Sequence, residues 1–529
     1  IGQRLAGTPN EDKAAAYIKD QFEAIGYTDV EWAKPSRTSM TTGRVVFSDG
    51  AGDIHGNPLP NSDAFGAVEG KLLDLGTFPD LAVPEGVGGK VVGAIRFDGA
   101  PNINNLNPVL TALMEENDIE LTGVILANTT TYTVSYVSGT PVVPCITTTN
   151  YFLDRALARA VSFDHMERFT NATTNAVIAT KPAPGGDPDL IIVVSSHMDC
   201  VLPSPGASDN ASGAATTLEL AKRLYDEDLG NIEVRFAVCG SEESGGMAGS
   251  VYVANSLVEE GKAPISINLN MDMVCSPGTT RDGRTLNAVS IDINPNPLAF
   301  NLPAYLVTDD AKEVNWADGI DNVRIYRSGS SDHVSFDNRG IEAGSMSIAN
   351  DNDDDIEVQN HNSRDNLLEN YSYERHLMCT NLMENAVLKA ANQEISKRAK
   401  FYVSEKGGSV TLVNAEQLFK TYDTVSGTFT SAAGDVPFTF TPGKTVVSLA
   451  DAQNYTITGV TAAGTGNADN NNAERNEQYK GFSTALAVQQ VEIDALTLST
   501  KSHLVKAGDP VTLNAAFDKM ISSNTAVLT

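Results

Sequence analysis

The 529-residue sequence is short of positive charge, sparing with cysteine and without long apolar runs. Only 37 lysines and arginines face 67 aspartates and glutamates, a formal net charge of −30. Nucleic acid is therefore not expected as a partner, because binding a phosphate backbone takes positive charge; the acidity suits solubility instead. No stretch approaches the roughly 18 consecutive apolar residues of a membrane-spanning helix, so no membrane span is expected. Cys145, Cys200, Cys239, Cys275 and Cys379 include no C-x-x-C pair, which argues against a structural zinc knuckle. Their odd number excludes complete intrachain pairing. No repeat of roughly 20–50 residues is visible. The chain opens on Ile1 rather than methionine, which reads as trimmed and leaves room for a removed signal peptide.

What is present falls into three regions. Thr8-Pro9-Asn10-Glu11 reads as a capping box with proline at the first helical position, and Ala14, Ile18, Phe22 and Ile25 recur at helical spacing until Gly26. This predicts a packing helix without chemistry of its own. Residues 45–170 alternate short β-like runs (Gly89–Phe97, Gly123–Ala127, Val142–Thr148) with glycine, proline and asparagine, interrupted by one helical stretch near Leu110–Glu116. From about residue 186 to 395 the pattern is strand, loop, helix, repeated: strands Leu190–Ser195, Ile232–Val238, Ile265–Asn270 and Gly344–Ile348, helices near Ala214–Tyr225, Met247–Val258 and Tyr371–Gln393. This alternation predicts an α/β fold, a mostly parallel mixed sheet with helices on both faces. Beyond about 400 the chain is β-rich, and residues 464–477 read as a linker or long loop. The expected domains are 1–44 with 171–400, an insertion at 45–170, and a β-rich region at 401–529, read as a small β-sandwich.

The acids and histidines of the middle region have a pattern. His197-Met198-Asp199 follows one predicted strand, Glu242-Glu243 the next, and Asp272 the third. Asp209 opens a predicted helix, and His361 lies beyond Gly344–Ile348, four residues before Asp365. Taken singly, a lone H-x-D, a glutamate pair or an isolated aspartate is a solvated loop. Jointly they stand at successive carboxyl ends of strands, which in an open α/β sheet face one crevice. Two imidazoles and several carboxylates gathered there suit zinc. A shared carboxylate allows a pair of ions roughly 3.5–4 Å apart, and adjacent glutamates can divide labour between metal and proton transfer.

At these residues, over Arg4–Tyr27 and about 186–395, the sequence resembles the co-catalytic di-zinc aminopeptidase family, which also holds glutamate carboxypeptidases, glutaminyl cyclases and the transferrin receptor. The insertion resembles a protease-associated domain in Gly89–Phe97, Gly123–Ala127 and Val143-Pro144-Cys145-Ile146-Thr147. The resemblance implies a zinc exopeptidase fold and two zinc ions per chain. His197 and Asp272 would bind one, Glu243 and His361 the other, and Asp209 would bridge them. It implies Glu242 as general base and acid for a metal-activated water, and Asp199 as the catalytic-site residue that orients His197. Asp365 would orient its loop in the same way. It further implies a cis peptide at Asp209–Asn210, peptide substrates with a free N-terminus, and a secreted or periplasmic setting.

Ser330-Ser331-Asp332-His333 also matches a family motif; His333 is read as a near-site structural or substrate-contact residue. Asn350–Asp355 clusters oxygen donors suited to calcium but lacks the spaced glycine and terminal glutamate of an EF-hand loop, so a solvated acidic loop at the site rim is the expectation. Two rivals use the same scaffold. A carboxypeptidase needs a basic pocket for the substrate carboxylate, for which Arg324 and Arg327 are candidates. A cyclase would use one zinc, against which the complete ligand set argues. A non-catalytic binding protein with a peptidase-like fold would lack ligands, and none is missing. Which N-terminal residue is preferred, and the oligomeric state, are not encoded by any motif.

Overall fold

Strand Leu190–His197 is buried at all eight positions, as its uninterrupted apolar run requires of a strand covered on both faces. It is flanked in parallel by Ile232–Cys239 on one side and Ser266–Met271 on the other. The structure, a computed structural model, describes residues 2–59, 66–100, 102–128, 139–277, 289–293, 323–326, 331–339, 341–348, 360–392, 400–403, 409–413, 423–431, 434–448 and 456–463. The strand trio is the centre of an eight-stranded sheet extended by Glu342–Ile348, Val289–Ile293 and Val323–Tyr326 beyond Ser266–Met271, and by Ala176–Lys181 and Val30–Ala33 beyond Ile232–Cys239. The added outer strands include antiparallel pairs, so the sheet is mixed around a parallel core.

Alternate residues of the central strand feed two cores. Ile192 and Val194 pack with Phe22, Leu220, Met383 and Val387 under helices Pro9–Ile25, Gly213–Arg223 and Tyr373–Asn392. Ile191 and Val193 pack with Val253, Leu257 and Phe336 under helices Ala248–Glu259 and His333–Asp337. Truncating a fully buried phenylalanine of this kind costs about 3–5 kcal/mol. The chain leaves the central strand for one neighbour and then returns for the other, so the crevice opens at the carboxyl end of Leu190–His197.

The expected elements are present with shifted ends. The central strand runs two residues further and ends on His197 itself, and the predicted Leu110–Glu116 helix spans Ile103–Asn117 from its Asn102 cap. The Thr8 cap forms, its hydroxyl accepting from Glu11 N at 3.4 Å, and Gly26 closes the helix at φ +125°. The second half of the capping box does not form: the Glu11 carboxylate accepts from Gly7 N, Thr174 and Asn175 instead.

A second, nine-stranded sheet spans Ser36–Phe47 to Phe163–Thr173, with helices Ile103–Asn117 and Asn150–Ala158 covering separate cores. Its first strand, Ser36–Phe47, starts ahead of the boundary expected at residue 45. The β-rich region contains two three-stranded sheets, one built on Thr424–Ser431, a strand the sequence reading did not pick out, with Phe429, Phe438 and Phe440 buried against each other. The 464–477 segment and the β-like stretch from Ala487 onward lie outside the described residues.

His55 in the second sheet is 1% exposed, and neither ring nitrogen has a hydrogen-bond partner among the described residues. Burial, then the Arg44 charge, pushes its pKa from 6.5 down to about 3. The unfolded imidazole takes up a proton as pH falls through 6.5 while the folded one does not, so acid favours unfolding. The penalty is absent above pH 6.5 and reaches about 2 kcal/mol by pH 5. Urea midpoints measured between pH 7 and 5 are expected to fall less steeply in His55→Asn.

Candidate metal centre

The crevice receives each group from a different element. His197 is the last residue of the central strand, Glu242 and Glu243 follow strand Ile232–Cys239, and Asp272 follows Ser266–Met271 directly. Asp209 sits in the turn Ala207–Ser212 that leads into helix Gly213–Arg223, and the Asp209–Asn210 peptide is cis, as the resemblance implies. That turn approaches the Asp272 strand so closely that a Cβ on Gly213 would lie 2.6 Å from Met271 O. His361 comes from the loop ahead of helix Tyr373–Asn392 and adopts a left-handed φ of +59°.

Asp209 is the meeting point. One carboxylate oxygen lies 3.4 Å from His197 Nε2, the other 3.0 Å from His361 Nε2. Asp272 Oδ1 is 3.3 Å from the same His197 nitrogen, and Glu243 Oε2 is 3.1 Å from that of His361. Among the described residues, three overlapping groups thus offer ligand atoms within 4.8 Å of one another: His197 with Asp209 and Asp272, Asp209 with Glu243 and His361, and His197 with Glu242 and Glu243. The first two correspond to the two halves expected from sequence. The donors are imidazole nitrogens and carboxylate oxygens, the set zinc accepts. Glu243 Oε1 is buried without a hydrogen-bond partner among the described residues, an orphan a cation would satisfy.

Supporting residues aim these groups. Asp199 is fully buried; it faces His197 Nδ1 at 3.5 Å and accepts from the backbone amides of Glu242 and Glu243 at 3.2 and 3.3 Å. A proton on Nδ1 shared with Asp199 would leave Nε2, which faces Asp209 and Asp272, free to act as a ligand. Asp365 accepts from Ser208 N at 2.8 Å and Asp209 N at 3.1 Å, so it braces the Asp209 turn as well as its own loop. Burial holds its carboxyl up to about 6.

Electrostatics follow from packing acids in a dry crevice. Burial alone would raise Asp209, but hydrogen bonds from His197 and His361 hold it well below the usual carboxylate range. Burial and the Asp209 charge push Glu243 up to about 8. Burial also raises Glu242 well above the usual carboxylate range, with the Asp272, Asp332 and Glu243 charges adding and His197 opposing. Hydrogen bonds to Asp209 and Glu243 lift His361 to about 11. Burial opposes the charged form of His197, yet Asp272, Asp199 and Asp209 together raise its pKa well above 6.5.

Other contributors lie outside the ligand set expected from the sequence. Ser331 donates to Asp272 Oδ2 at 2.8 Å and accepts from Asn270 at 2.9 Å, leaving Oδ1 to face His197. Asp332, fully buried, lies within electrostatic range of His197, Asp199 and Asp272, and burial raises it to about 6. Glu11, expected to serve packing alone, is fully buried; burial and the Asp199 charge raise it to about 8. Arg4 spends its guanidinium on the carbonyls of Gly2, Met198, Pro205 and Gly206, clasping the loop between His197 and Asp209. The Ser331-Asp332-His333 match hinted at the first two; nothing in local sequence signals the last two. His333 is buried at the start of helix His333–Asp337 and joins none of the three ligand groups. All five cysteines are buried and unpaired. Asn350–Asp355, Arg327 and the Arg324 side chain lie outside the described residues.

No helix among the described residues is long and apolar enough to cross a membrane. Residues 176–387 match the sequence model of peptidase family M28. Aminopeptidase YwaD of Bacillus subtilis is 31% identical over 43% of this chain and 47% of its own length. Aminopeptidase Y of Saccharomyces cerevisiae is 32% identical over 33% of this chain and 30% of its own. A solved zinc aminopeptidase from Bacillus subtilis superposes with a TM-score of 0.46 at 22% identity, over 73% of this chain and 91% of that one. The chain thus spans less than half the length of these curated relatives. The 176–387 match to the family M28 model covers the strands and loops that carry His197, Asp209, Glu242, Glu243, Asp272 and His361.

Proposed function

We propose that the chain is a di-zinc aminopeptidase that hydrolyses the N-terminal bond of peptides. One observation carries this reading: Asp209 presents one oxygen to His197 and the other to His361, the arrangement a shared ligand requires. His197 and Asp272 would hold one ion, Glu243 and His361 the second, and Asp209 both. Bound zinc supplies a Lewis acid that acidifies water to a pKa near 7 and polarises a carbonyl. Glu242, held by its backbone amide to Asp199, accepts a proton from the attacking water as the new C–O bond forms. It returns that proton to the amine nitrogen as the C–N bond breaks. Asp199 fixes the His197 tautomer throughout. Residues 45–170 are read as a protease-associated insertion and the chain as secreted or periplasmic, both resting on the sequence resemblance.

Metal analysis with a panel of aminoacyl and N-blocked substrates tests the reading: cleavage of free but not blocked N-termini is expected, and the reverse preference would transfer it to the carboxypeptidase class. A pH dependence follows from the raised imidazoles. Ligating nitrogens must be deprotonated, so in chelator-treated protein zinc has to displace protons from His197 and His361. Calorimetry in buffers of different ionisation enthalpy is expected to show net proton release on zinc binding near neutral pH, from His197, His361 and the Glu243 carboxyl. The apparent zinc affinity is expected to climb as pH rises, and a flat profile would contradict the pairing.

A further inference from the structure

The turn that bears Glu242 and Glu243 is not held by the peptidase sheet alone. Four of the seven residues 241–247 have left-handed backbone angles: Ser241 at φ +68°, Gly245 at +87°, Gly246 at +85° and Met247 at +55°. The serine and methionine each carry roughly 1–2 kcal/mol of strain there, so contacts from outside must hold the turn. The turn's own bonds are Ser241 Oγ to Ser244 O and Met247 N to Ser241 O. Asp199 accepts from the Glu242 and Glu243 amides, and the contact from the other sheet comes from Arg37, on its strand Ser36–Phe47. Its Nη2 donates to Ser244 O at 3.2 Å and Ser244 Oγ at 3.0 Å, while Nη1 donates to Ala6 O at 2.7 Å and Asn171 Oδ1 at 2.8 Å. Arg37 is 8% exposed, and its guanidinium is seated over Gly245, where a Cβ would lie 2.6 Å from Nε. Among the described residues no carboxylate contacts it; the charges that favour it are those of Glu11 and Asp199, the acid that the Glu242 and Glu243 amides address.

We infer that Arg37 is a positioning residue of the peptidase centre: the nine-stranded module, through this one side chain, holds the Glu242–Glu243 turn in its working shape. Docking of that module is then a condition for turnover as well as for shape. The inference rests on the di-zinc reading for its effect on catalysis, but not for its effect on the turn. Removing Arg37 frees Ser244 and takes away a positive charge that interacts with the buried Asp199 and Glu11, so the turn relaxes and Glu242 leaves its position.

The test compares the full chain with Arg37→Met, Arg37→Ala and a control, Arg44→Met, which removes another arginine of the same strand, one paired with Glu167 and Asp53. Arg37→Met is expected to lower kcat by about 10–100-fold, as loss of an outer-sphere support does, with KM and zinc content unchanged. Hydrogen exchange should quicken in a peptide covering residues 241–247, with or without zinc. Arg44→Met is expected to keep its kcat. Methylguanidinium should restore part of kcat to Arg37→Ala, and ethylammonium should not, because only a planar fork reaches Ser244 and Asn171 together. Unchanged kcat in Arg37→Met, an equal loss in Arg44→Met, or unaltered exchange at 241–247 each overturns the inference. If Glu242→Gln retains full turnover, the di-zinc reading falls instead, and the exchange measurement still decides the role of Arg37.

Discussion

Replacement of Asp209 by asparagine is expected to abolish the proposed peptidase activity and to lower the metal content from the proposed two ions to at most one per chain. The side chain keeps its size, and the Asp209 amide keeps its bond to Asp365. What goes is the charge. A carboxylate can offer one anionic oxygen to the His197 side and one to the His361 side; an amide offers one neutral oxygen and a nitrogen that donates. The substitution also removes the hydrogen bond to Asp209 that does most to raise the His361 pKa. In chelator-treated protein, a nitrogen-15 NMR titration of His361 should therefore move downward from about 11. Two full equivalents of tightly held zinc in Asp209→Asn would show that the two halves are independent and would end the shared-ligand argument. Because Asp209 is 4% exposed and tied to two loops, a far-ultraviolet spectrum and the folded hydrogen-exchange pattern must accompany the measurement.

Glu242→Gln is the complementary case, with metal kept and turnover lost. Glutamine retains the backbone amide that bonds Asp199 at 3.2 Å, and the shape of the turn with it. It cannot accept the water proton. General acid–base groups of this kind contribute about 10²–10⁴-fold, so kcat is expected to drop by that factor with zinc content and KM preserved. The direction depends on Glu242 and Glu243 having different jobs despite being neighbours. Glu243 Oε2 lies 3.1 Å from His361, whereas Glu242 groups with His197 and Glu243 but with neither Asp209 nor Asp272 among the described residues. Undiminished turnover in Glu242→Gln would remove its assigned role. Lost zinc would instead recast Glu242 as a ligand.

The two substitutions separate assembly of the site from chemistry within it, and Arg37 adds a third level. Asp209 would gather the ions, Glu242 would move the proton, and the module carrying Arg37 would keep the Glu242 turn strained into place. The reading therefore places dependence on tertiary docking at the one loop where two adjacent residues must point to different tasks.

Much of this was legible in the sequence, and for identifiable reasons. The apolar run Leu190–Val194 announces a buried strand because a strand covered on both faces has no polar position to spare. Its neighbours Ile232–Val238 and Ile265–Asn270 repeat the signal, so the acids and histidines that follow each strand could be assigned to one crevice before any coordinates. Strand ends are set by hydrogen bonding as well as by hydrophobicity, which is why His197 lies inside the strand rather than after it. The Thr8–Glu11 spacing carried correct information about the helix start and incomplete information about Glu11, whose carboxylate found stronger partners in Thr174 and Asn175, more than 160 residues away.

By itself, then, the sequence determined the α/β alternation, the parallel centre of the sheet and the list of groups at its carboxyl edge, since these depend on local periodicity and on residue type. Only the tertiary structure decided that Asp209 faces both histidines, that Ser331 ties down one Asp272 oxygen, and that Arg4, Glu11 and Arg37 stand behind the site. Those facts rest on contacts between segments far apart in the chain. A buried arginine or glutamate has the same letter as an exposed one, and only packing sets how much each charge counts.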